Sequence, residues 1–91
     1  MPDSNLPIAK LRNLGPASAR MLQQVDIHSF EQLQELGAAV AYHRVKRSGE
    51  KVSLNLLYAI AGALLDCHWT KLPDEERTRL LLEADALEQQ P

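Results

Sequence analysis

The chain has 91 residues, a formal charge of -2, 45% hydrophobic and 24% charged residues, which allows one globular domain and argues against a strongly basic nucleic-acid binder. Four glycines leave no glycine-rich phosphate loop, and the single cysteine, Cys67, excludes an internal disulfide and a four-thiolate zinc site. The charge-free run from Val52 to Leu65 contains Ser53 and Asn55 and is too short to span a bilayer, and Met1-Pro2-Asp3-Ser4 does not begin a signal peptide, so a reduced cytoplasm is the expected location.

Charge is unevenly spread. Residues 1–48 carry six Lys/Arg against four acids, net +2, and residues 49–91 carry four against eight, net -4. An anion-facing surface is therefore expected in the first half.

Helical periodicity runs the length of the chain. Ile8 and Leu11 predict a short first helix with Pro7 near its start, stopping at Asn13-Leu14-Gly15-Pro16, where Asn and Gly tolerate positive φ. A second helix follows over 17–24, with Ala19 and Leu22 inward and Arg20, Gln23 and Gln24 outward. Val25-Asp26-Ile27-His28 is a tight connection returning two apolar residues to the core. Ser29 and Gln32 have capping-box spacing before Phe30, Leu33 and Leu36, and Gly37 is a plausible stop. Residues 38–47 predict a fourth helix with Val40, Ala41 and Val45 apolar, then a polar, mobile turn at Ser48-Gly49-Glu50-Lys51.

The helix over 54–65, capped by Ser53, is apolar on most of its circumference and is expected at the centre of the fold. Gly62 inside it predicts a close helix crossing. Trp69 in the following connector is expected to plug the bundle. The last helix opens with acids at Asp74-Glu75-Glu76, offers Glu75–Arg79 and Arg79–Glu83 pairs, and turns Leu80, Leu81, Ala84 and Leu87 inward. The expectation is an all-α fold: a single domain of five to six short helices over residues 6–88, with flexible ends at 1–5 and 89–91.

The stretch from Leu11 to Leu22 resembles the helix–hairpin–helix motif: Leu14 would plug between two helices, Gly15 permit the turn and Ala19 allow their close approach. In DNA-binding members of that motif the hairpin directs backbone N–H groups at a phosphate. Here Asn13 stands where the first hairpin glycine would be, and Pro16 lacks an N–H. Together with Leu36-Gly37-Ala38, Tyr42, Leu54-Asn55-Leu56-Leu57-Tyr58-Ala59 and His68-Trp69, the chain from about Leu6 to Leu87 resembles the C-terminal domain of the TfoX/Sxy family of bacterial competence regulators. In that family the helical domain usually follows an α/β N-terminal domain, which this sequence lacks. Promoter activation there is thought to involve the cyclic-AMP receptor protein. The resemblance thus implies a regulatory, protein-contacting module, with the transcription machinery or a TfoX N-terminal domain as partner.

No constellation points to catalysis or to a cofactor. His28, His43, His68 and Cys67 lack metal-ligand spacing, and Asp66-Cys67-His68 cannot converge as a nucleophilic set. Two binding readings remain. In the first, the domain contacts a protein, or its own kind as a monomer or weak homodimer. In the second, it binds DNA weakly and without sequence preference through Arg12, Asn13, Gly15, Ser18, Arg20, Arg44, Lys46 and Arg47. Leu14, Ala19, Asn55, Tyr58 and Trp69 are assigned structural roles, Asn55 as a hydrogen-bonding partner of buried backbone and the two aromatics as core with satisfied polar tips.

Overall fold

Gly37 alone separates two helices. Its φ of 81° and ψ of 162° fall in a region essentially reserved for glycine; its N–H donates to the Leu33 carbonyl at 2.9 Å and its carbonyl accepts from Ala41 N–H at 3.1 Å. One residue therefore ends α2 (Phe30–Leu36) and begins α3 (Ala38–Arg47). The computed structural model describes residues 8–11 and 13–89. Its other helices are α1 (Pro16–Gln23), α4 (Leu54–Leu65) and α5 (Asp74–Glu88), joined by two 3-10 turns at Ile8–Lys10 and Trp69–Lys71. The fold is all-α, as the periodicity implies.

The caps explain the boundaries. Ser29 Oγ accepts from Gln32 N–H at 3.2 Å, while the Gln32 carboxamide takes the N–H of His28 rather than of Ser29. Ser53 Oγ accepts from Asn55 N–H at 3.3 Å at the head of α4. Helices α1 and α4 end alike, in Schellman motifs built on an aspartate. Asp26 has φ 65° and Asp66 φ 54°. Ile27 N–H reaches back to the Leu22 carbonyl and Cys67 N–H to that of Gly62, both at 2.9 Å. Gln89 closes α5 through its N–H on the Asp85 carbonyl at 3.2 Å. Pro7 and the ends 1–5 and 90–91 lie outside the described residues.

Leu22, Ile27, Leu33, Val45, Leu57 and Ile60 are the largest fully buried side chains. They come from α1, the turn after it, α2, α3 and α4, so every α-helix but the last puts a large residue at the centre. The hub is α3, which packs against α1, α2, α4 and α5. This corrects the expectation that the apolar helix α4 is central. The small Ala38, Ala39 and Ala41 let neighbours approach α3 from several sides, whereas α4 leaves Leu54 and Leu65 at the surface. On α5, Leu80 and Ala84 are buried and Leu87 half-buried, but Leu81 is exposed. Trp69 is half-buried, and Leu72 is the connector residue that enters the core.

Candidate functional site

Asn13 fastens the first turn to the far end of α4. Its backbone takes φ 70°, a left-handed conformation that asparagine tolerates, whereas Gly15 is extended at φ -127°. In this pose the Asn13 Nδ2 donates to the Cys67 carbonyl at 2.9 Å and the Ala59 carbonyl at 3.4 Å, and Oδ1 accepts from Trp69 N–H at 3.2 Å. Both amide hydrogens and the carbonyl oxygen are thus committed inside the molecule. Gly62 makes this possible: a Cβ there would sit 2.5 Å from Asn13 Nδ2 and 2.7 Å from the Cys67 carbonyl oxygen. The close approach expected at Gly62 is therefore to the hairpin and the connector rather than to another helix.

Beside this fastening lies a cleft of about 360 Å³. Its walls are Ser18 and Met21 of α1, Val52, Ser53 and Lys51 of the linker, Asn55, Leu56 and Ala59 of α4, and Trp69. Lys51 is the one charged residue in that lining, and neither α1 nor α4 has an acid in its first turn. The Trp69 edge is held from behind: Arg77 Nη2 donates to the Trp69 and Thr70 carbonyls, each at 3.3 Å, and its guanidinium lies 5.5 Å from the centroid of the Tyr58 ring.

The candidate contact residues do not form one surface. Ser18 is half-buried in the cleft, and Gly15 is half-buried and not part of its lining. Asn13 is spent on the fastening and Arg12 lies outside the described residues. Arg20 stands 3.9 Å from Glu50, and Lys46 is ion-paired with Glu88. Arg44 and Arg47 are exposed near the end of α3 with no acidic partner among the described residues. Asn55 is exposed on the cleft wall, and the buried-backbone role expected of it belongs to Asn13. Leu14 and Ala19 are buried. Among the described residues no group of three His, Cys, Asp or Glu could hold a metal ion. His68 Nδ1 serves the 3-10 turn by accepting from Thr70 N–H at 3.3 Å. Sequence reasoning missed the Asn13–Gly62 pairing; its trace is an asparagine in a glycine position and a glycine inside an otherwise strong helix.

A family model described as the TfoX C-terminal domain matches residues 4–84. The chain belongs to the TfoX C-terminal domain family. This is a regulatory-type family related to competence regulators, and the match spans the hairpin, the cleft and most of α5. A crystal structure of an uncharacterized protein from Listeria monocytogenes, triclinic form, superposes with a TM-score of 0.83 at 24% identity. The alignment covers 92% of this chain and 96% of that one, and what it shows is the shared fold. No curated protein matches this TfoX C-terminal domain. No helix among the described residues is long and apolar enough to cross a membrane.

Proposed function

We propose that this TfoX C-terminal domain is a non-enzymatic, cytoplasmic interaction module of a competence-type transcription regulator, and that a protein partner seats in the cleft between α1 and the head of α4. The observation carrying this reading is the cleft itself. Met21, Val52, Leu56, Ala59 and Trp69 line it together with Asn13, Ser18, Lys51, Ser53 and Asn55, so that polar and apolar surface are exposed in comparable amounts. A mixed lining that carries a single positive charge suits the surface of a protein partner better than a phosphate backbone, which needs several cations. A TfoX N-terminal domain or a component of the transcription machinery is the partner class.

Weak DNA binding is the alternative, supported by Arg44 and Arg47, exposed and with no acidic partner among the described residues. Two or three phosphate contacts would give a log–log salt slope of about -2 to -3 and a dissociation constant no tighter than ~10⁻⁵ M at physiological salt. The deciding experiment titrates the 15N-labelled domain with a purified TfoX N-terminal domain and, separately, with a DNA duplex across a salt series. The protein arm is expected to shift amides at Ser18, Met21, Val52, Asn55 and Trp69, and the DNA arm to leave them in place. Shifts confined to Arg44, Arg47 and neighbouring amides, produced by DNA and abolished by salt, would replace the protein reading with the DNA one.

A further inference from the structure

On α5, Arg79 bonds Glu76 through Nε at 2.8 Å and also pairs with Glu83. These three residues form the rim of a groove of about 170 Å³ whose walls include Ala61, Leu64 and Leu65 of α4 and Leu80 of α5. Leu65 is 57% exposed there. At 100° per residue, Ala86 and Leu82 stand about 20° and 60° beyond Arg79 around α5, on the side away from the groove. Leu82 is 66% exposed, more than any other large hydrophobic residue described. An exposed leucine therefore lies on each side of a row of charges that is itself paired.

We infer that this face of α5 is covered by a second copy of the chain, in an isologous antiparallel pairing of the two α5 helices. The occupant follows from the charge order. With a two-fold axis at the level of Leu81, Arg79 of one copy opposes Glu83 of the other, and Glu83 opposes Arg79, so the same two residues make two attractive pairs across the axis. Leu82 lies one residue from that axis and meets its own counterpart. Leu65, which shares the groove lining with Leu80 on the other flank, does the same. A parallel pairing would set Arg79 against Arg79. The surface is distinct from the cleft proposed for the partner protein, so both can be occupied at once. One fifteen-residue helix and a leucine from α4 bury less than the roughly 800 Å² per partner of a stable interface. Association is therefore reversible, with a dissociation constant on the order of 10–100 µM.

The test is sedimentation equilibrium up to about 0.5 mM on the wild type, on Arg79→Glu, on Glu83→Arg, and on an equimolar mixture of the two variants. Each variant alone opposes like charges and is expected to associate about tenfold more weakly than the wild type, while the mixture restores both attractive pairs and regains the loss. Circular dichroism confirms that each variant is folded. Leu82→Asp should abolish association on its own. A wild type that stays monomeric at the highest concentration, or a mixture no tighter than its components, overturns the inference.

Discussion

Asn13 and Gly62 act as one unit, and neither is replaceable by a small neutral residue. Asn13→Ala removes three hydrogen bonds and leaves alanine in a left-handed conformation, and should cost about 2–4 kcal/mol in urea unfolding. Gly62→Ala gains ~1 kcal/mol of helix propensity, yet its methyl would meet the Cys67 carbonyl, a backbone group with little freedom to move. The net expectation is a loss of about 1–3 kcal/mol. In the double variant the clash with Asn13 disappears and that with Cys67 persists, so the two losses should fall short of additive. Asn55→Leu, on the exposed cleft wall, should change stability by no more than about 0.5 kcal/mol. The contrast between the two asparagines marks the limit of one-dimensional reading. Asn55 sits in the most apolar helix and so looks buried, but a residue at the second helical position can point to solvent while its neighbours do not. Asn13 lies among polar and turn residues and looks like a loop, and its bonding partners are 46 to 56 residues away. Local pattern carries no information about such partners.

At the scale of elements the sequence was legible wherever a cap is chemical. Ser29, Gly37 and Ser53 set α2, α3 and α4 at the residues that the spacing predicts. The end of α4 falls at Leu65 as the spacing predicts and that of α1 one residue before the expected Gln24, although each turns on an aspartate in a conformation that usually marks glycine, which the spacing does not reveal. Asp26 also places a negative charge at the negative end of the α1 dipole, and its carboxylate is almost fully exposed, 3.8 Å from His28. Asp26→Gly removes both the left-handed strain and the unfavourable charge. It should raise stability by about 0.5–1 kcal/mol, read as a higher urea midpoint at unchanged slope. The ion pairs of α5 show the same limit in another form. Arg79 could reach Glu75 or Glu76 by helical spacing, and the structure selects Glu76 because it lies on the groove side, closer to buried Leu80.

Centrality belongs to the whole molecule, and composition misjudges it. The helix richest in leucine is not the hub, because alanines let α3 receive four neighbours. Leu57→Ala should cost about 2–5 kcal/mol, since that side chain is fully buried. Val45→Ala loses less volume but sits on the helix that every other helix touches, and should still cost more than ~1 kcal/mol. The ends of α3 and α5 are tied by Lys46 and Glu88, and this tie gives the fold a pH signature. The hydrogen bond from Lys46 holds the Glu88 carboxyl below the usual carboxylate range, and the same bond raises the Lys46 ammonium. A lowered carboxyl contributes stability that is complete above its unfolded value, about 4.3, and is lost as pH falls through its folded value. The raised lysine contributes stability that is complete below about 10.4 and is lost as pH rises through its folded value. The pair is therefore at full strength at neutrality and weakens at both extremes. Both groups are open to solvent, so salt should screen it. Glu88→Gln removes the carboxylate at every pH. Its urea midpoint should lie below that of the wild type at pH 7 in low salt, and the gap should close as pH falls through the lowered folded value of the Glu88 carboxyl, below which Glu88 is itself neutral. A gap that persists at low pH would assign the loss to packing at the end of α5 rather than to the charge.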